Sequence, residues 1–108
     1  MRFLTPLFVM ALSASVSAET LNIMLWGIGR QSCASWLSTP INEAEGSAWL
    51  MGFWSGGNVF DNGNHAVGST TDALGAIETV KQRCRADPSA NLMSVTFNLY
   101  DEFKRKGK

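Results

Sequence analysis

A chain of 108 residues with 9 basic and 9 acidic side chains carries no net formal charge and has room for one small domain, not two. That balance supplies no field to draw it to nucleic acid or to anionic lipid. Past the front end, no apolar run reaches the ~20 residues that span a bilayer.

The first 18 residues read as a secretory signal. Arg2 is the lone charge, Leu4, Leu7, Phe8, Val9, Met10, Ala11 and Leu12 form the apolar stretch, and Val16-Ser17-Ala18 supplies small residues for a signal peptidase. The expected organisation is a signal at 1–18 and a single domain at 19–108, in the periplasm or secreted, where thiols oxidise. No cysteine lies just after the cleavage point, where Glu19 and Thr20 stand, so no lipid or membrane anchor is expected.

From Glu19 to Gly29, Leu21, Ile23 and Leu25 alternate with Asn22, Met24 and Trp26. This suits a short extended segment or an arm laid over a helical core. Gln31 to Ser38 predicts a short helix halted before Pro40, with Cys33, Trp36 and Leu37 on one face.

A second helix is expected to begin with Asn42 as N-cap and Glu45 completing a capping-box pair. Its body, Ala44 to Ser55, carries Trp49, Leu50, Phe53 and Trp54, and Gly56-Gly57-Asn58 is expected to end it. Gly52 and Gly56 cost about 1 kcal/mol each against alanine inside a helix. A groove in which another helix backbone packs closely would offset that cost, and Gly52→Leu would then overpack it. Val59 to Gly68, rich in Asn, Asp and Gly, reads as an exposed loop.

Ser69, Thr70 and Thr71 offer N-caps for a third helix from Asp72 to Ala86, with Leu74, Ile77, Val80 and Cys84 near one stripe. Asp87 would cap a fourth helix with Pro88 at its first position. Running from Ser89 to about Lys104, that helix places Leu92, Val95, Thr96, Leu99 and Phe103 on one side. The basic end from Lys104 to Lys108 suits the negative end of a helix dipole. The fold class expected is all-α, a small four-helix domain.

Cys33 and Cys84 are the only cysteines, so one pairing is available. Both fall on apolar stripes, and a bridge there would tie the first helix to the third. Closing a loop of roughly fifty residues stabilises by about 4 kcal/mol in the chain-entropy account. A redox-active pair would want Cys-x-x-Cys, which is absent from this sequence.

Signals for chemistry are sparse. His65 is the sole histidine and sits in the predicted loop, far from any free thiol with which to hold zinc. Ser55 lacks the small residue two places before it that a nucleophile elbow requires, since Phe53 stands there. Asp61-Asn62-Gly63-Asn64 has only a fragment of the alternating ligands of a calcium loop, and Gly27-Ile28-Gly29 is too short to cradle phosphate. Asp72, Glu78 and Asp87 read as cap or surface positions. The chain therefore reads as a non-enzyme without cofactor or metal. Trp49, Phe53 and Trp54 either fill the core or line a patch that binds protein or an apolar ligand.

Cys33, then Trp49-Leu50-Met51-Gly52-Phe53-Trp54-Ser55-Gly56-Gly57-Asn58, then Cys84-Arg85-Ala86-Asp87-Pro88 and a closing amphipathic helix form a recognisable order. It resembles small secreted bacterial proteins with a Trp-x-x-Gly-aromatic-x-Ser-Gly-x-Asn box between two bridged cysteines. The arrangement is also similar to the HdeA-type periplasmic acid-stress chaperones, single-disulfide four-helix domains that dissociate at low pH and hold unfolding clients. The resemblance implies a protein partner or client and makes Trp49, Gly52, Phe53, Ser55, Gly56 and Asn58 the structural heart. Asn58 is expected to cap its helix and bond loop backbone. The alternative is a small exported immunity protein that blocks a cell-wall enzyme, using the Val59–Gly68 loop or the aromatic box as its wedge.

Overall fold

The computed structural model describes residues 23–108; the expected signal at 1–18 and the start of the arm lie outside the described residues. Four α-helices follow a short 3-10 turn at Ile28–Arg30: α1 Cys33–Trp36, α2 Pro40–Phe60, α3 Ala73–Ala86 and α4 Leu92–Lys106. The fold is all-α, and its sole strand-like pairing among the described residues is an isolated bridge between Ser32 and Asn91. Ile23 to Trp26 has no regular secondary structure. This stretch behaves as an arm: the Trp26 carbonyl accepts a 3.0 Å hydrogen bond from Trp49 Nε1.

Helix α2 starts earlier and ends later than the sequence suggests. Thr39, not Asn42, is the N-cap: its hydroxyl accepts from the Asn42 amide at 3.1 Å, and Pro40 takes the first turn, where its missing N–H costs nothing. Asn42 instead donates its side-chain amide to the Ser35 carbonyl at 3.1 Å. At the other end the helix passes through Gly56-Gly57-Asn58 to Phe60. Tertiary partners outweigh the glycine penalty there. The Tyr100 ring lies against Gly57, where a Cβ would sit 3.0 Å from ring carbons, and the Asn58 side chain reaches the next loop.

Asp72 caps α3, its carboxylate accepting from the Gly75 amide at 2.7 Å, in place of the preceding Ser69, Thr70 or Thr71. Ala76, Ile77, Val80 and Cys84 form the buried stripe, whereas Leu74 is 73% exposed and does not belong to it.

Helix α4 is capped by Asn91, which accepts from the Ser94 amide at 2.8 Å, and not by Asp87 with Pro88. The reason is that the 88–92 segment is occupied by α1. Pro88 and Ala90 offer their carbonyls to the amides of Ala34 and Cys33 at 3.0 and 2.7 Å, while the Leu92 amide donates to Gln31 at 3.0 Å. These contacts satisfy the orphan N–H groups of a four-residue helix that has little intrinsic stability. Gly107 closes α4 in the left-handed region at φ 69°.

The core gathers Ile28, Trp36, Leu50, Ile77, Val80, Leu92 and Leu99 around a Cys33–Cys84 disulfide. The bridge joins α1 to α3 with Cα atoms 5.0 Å apart, both residues being fully or almost fully covered. Trp36 is held by a 3.0 Å bond from Nε1 to the Glu43 carbonyl, and its indole lies against Gly46, where any Cβ would overlap the ring.

Candidate functional site

The aromatic box does not act as one unit. Trp49 and Phe53, one helical turn apart on α2, stack with centroids 5.3 Å apart. Trp49 also covers Gly29, so it pins the 3-10 turn to α2. Trp54 turns toward α4, meeting Tyr100 and Phe103 edge-on at 5.1 and 5.8 Å. Its Nε1 donates to the Val67 carbonyl at 2.7 Å.

Asn58 is the hub of this region. Its Nδ2 donates to the Val67 carbonyl at 3.1 Å, and its Oδ1 accepts from the Val67 amide at 3.1 Å and from the Tyr100 hydroxyl at 3.0 Å. The expectation that Asn58 bonds loop backbone therefore holds, but it does so from inside α2 and not as a cap. Val67, which the sequence places in an exposed loop, is consequently buried.

Gly52 and Gly56 do not form a packed groove. A Cβ at either position meets nothing within 4 Å, and Gly52 is exposed. Close approaches to aromatic rings occur instead at Gly29, Gly46, Gly57 and Gly68. Spacing alone cannot say which glycines face the core, because α2 packs its Gly46 and Leu50 side inward.

Beside Met51 and Ser55 lies a cleft of about 260 Å³ between α2, the 67–72 segment and the start of α3. Leu50, Met51, Trp54, Val67 and Ala76 give it apolar walls, with Ser55, Thr71 and Asp72 at its polar edge. Met51 remains 42% exposed at the rim. Farther along α2, Val59 and Phe60 stand 67% and 84% exposed, so the helix end carries a second apolar projection.

Ser55 and Asp72 share the cleft, but His65 is not among its lining residues; its Nδ1 pairs with the Asn58 carbonyl at 2.8 Å. The Asp72 carboxylate is engaged in capping α3. Among the described residues, no three of the His, Cys, Asp and Glu side chains gather as a metal site. No helix among them is long and apolar enough to cross a membrane.

Ion pairs link α3 to α2 and to α4. The Asp61 side chain, almost fully covered, accepts from Lys104 Nζ at 2.8 Å and from the amides of Gly63 and Asn64 at 2.7 and 2.9 Å. Lys104 first, then those amides, holds its carboxyl well below the usual carboxylate range. Glu102 bonds Lys106 and Arg83, each at 2.6 Å, and its pKa falls to about 2. Lys81 pairs with Glu43 and so ties α3 to α2. Burial, followed by the nearby Asp61 charge, pushes the Tyr100 phenol up.

The partnership of Trp54, Asn58, Val67 and Tyr100 is what sequence reasoning missed. The sequence carried no signal for it, because Gly56-Gly57 reads as a helix end and so leaves Asn58 outside the helix. Comparison with family models, with curated proteins and with solved structures finds no match.

Proposed function

We propose that the chain is a non-catalytic exported domain with a protein-binding role, of the kind the HdeA resemblance suggests for a stress chaperone. The observation that carries this reading is the apolar cleft with an exposed apolar rim on a small disulfide-bonded helical domain. Such a rim costs solvation in the free protein and gains when a partner covers it. The buried bridge is compatible with an oxidising location, and the signal-like front end supports export.

A second reading, an immunity protein that plugs a secreted enzyme, is favoured by Phe60. That ring projects from the end of α2, at the start of the loop expected to act as a wedge. Two assays on the mature protein separate the readings. Suppressed aggregation of an acid-unfolded client supports the chaperone. Stoichiometric recovery of one secreted enzyme, with loss of its activity, supports the plug. A protein that neither protects a client nor retains a partner has no protein-binding role.

A further inference from the structure

We propose that the loop between α2 and α3, residues 61–72, is a lid on the cleft, held shut by one latch at Val67 and Gly68 and opening as a unit. Such a lid governs access to the cleft whatever the cleft receives.

The loop has little of its own to hold it down. Residues 61–72 contain neither helix nor strand, and between Asn62 and Asp72 only Val67 is buried. A segment with so few covered side chains opens far more readily than the domain unfolds. One set of its hydrogen bonds closes on the loop itself. Gly63 and Asn64 donate to Asp61, Ala66 to Asn64, Ser69 to Ala66 and Thr71 to Gly68. Those bonds survive when the loop moves as a body, so it keeps its shape.

The bonds that reach outward concentrate on two consecutive residues. The Val67 carbonyl accepts from Trp54 Nε1 at 2.7 Å and from Asn58 Nδ2 at 3.1 Å, and the Val67 amide donates to Asn58 Oδ1 at 3.1 Å. The Gly68 amide donates to the Lys108 carbonyl, just past α4, at 3.0 Å. That carbonyl of Val67 and that amide of Gly68 belong to one planar peptide unit, so turning it breaks its bonds to α2 and to the end of α4 together. The other tethers are His65 on the Asn58 carbonyl and, at the base of the loop, Asp61 on Lys104.

Val67, Gly68 and Thr71 line the cleft together with Leu50, Met51 and Trp54 of α2. Lifting the loop removes that wall and uncovers an apolar face that includes Leu50, now 1% exposed. Gly68 marks how closely the lid is seated. Its φ is +94°, and a Cβ there would lie 2.9 Å from Trp54 Nε1.

Native-state hydrogen exchange on the mature protein, its bridge intact, tests the latch. The Val67 and Gly68 amides should exchange through one shared opening, about tenfold or more frequent than the one that exposes Val80 and Leu99, and less steepened by urea. A thiol reagent acting on Ala76→Cys reads the cleft itself, since Ala76 lines it and is 6% exposed. Gly68→Ala adds left-handed strain to the contact with Trp54. It should speed Val67 exchange and Ala76→Cys labelling by the same factor, about tenfold or more, with the circular dichroism spectrum unchanged. Exchange of Val67 or Gly68 only at the rate of Val80 and Leu99 would overturn the proposal. So would unequal openings at Val67 and Gly68, or labelling of Ala76→Cys that ignores Gly68→Ala.

Discussion

The Tyr100 hydroxyl donates to Asn58 Oδ1 at 3.0 Å across 42 residues of chain. The same oxygen accepts the Val67 amide, so one side chain fastens the loop after α2 to both α2 and α4. Asn58→Ala leaves the buried Val67 amide and the Tyr100 hydroxyl without that acceptor. A buried polar group stripped of its partner costs about 1–3 kcal/mol, and a loss of about 2–4 kcal/mol is expected in urea unfolding. An unchanged unfolding midpoint would show that water replaces the asparagine freely.

Two glycines on α2 should respond oppositely to the same change. Gly52→Ala adds a methyl in open space, and the helix gains up to about 1 kcal/mol from propensity alone. Gly46→Ala forces a methyl into the Trp36 indole, which is fully buried and held through its Nε1. Overpacking of that kind costs about 1–3 kcal/mol. Thermal melts of the two variants decide the matter: equal shifts would mean that α2 is rotated from the placement described.

Removing the bridge as Cys33→Ala with Cys84→Ala should lower stability by about 4 kcal/mol, from loop entropy across a separation of 51 residues. The loss is large because native small domains hold only about 5–15 kcal/mol in total. Both cysteines are covered, so a reductant should act on the native protein only through opening. Thiol labelling after reduction, with and without urea, measures this. Rapid labelling in native buffer would contradict the burial.

Acid should erode the ion pairs of α4 in a defined direction. Glu102 has a folded pKa near 2 against an ordinary value of 4.5, chiefly through Lys106 and then Arg83. Its contribution is therefore complete above about 4.5 and declines as pH falls toward 2. Asp61, depressed by Lys104, acts in the same sense. Glu102→Gln should flatten part of the acid limb of a stability–pH curve, leaving the neutral limb lower and unchanged in slope. A variant curve parallel to that of the parent throughout would remove the carboxylate from the account.

Local chemistry in the chain was enough for the fold class. Apolar residues at helical spacing predict Ile77, Val80 and Cys84 on one face of α3 and Leu92, Val95, Thr96 and Leu99 on one face of α4, and these are the buried faces found. The bridge followed as well, since two cysteines permit one pairing.

Boundaries and packing partners were a different matter. Pro88 looks like the start of a helix because its backbone suits one, yet α1 claims the carbonyls of that segment. Gly56-Gly57 looks like a stop because glycine favours helix ends, yet Tyr100 and Val67 hold the helix open to Phe60 from outside it. Composition and periodicity report what each residue prefers within its own few turns. Only the tertiary structure decided which face of α2 turns inward, because that depends on where the ring of Trp36, on the preceding helix, and that of Tyr100, far along the chain on α4, come to lie against Gly46 and Gly57.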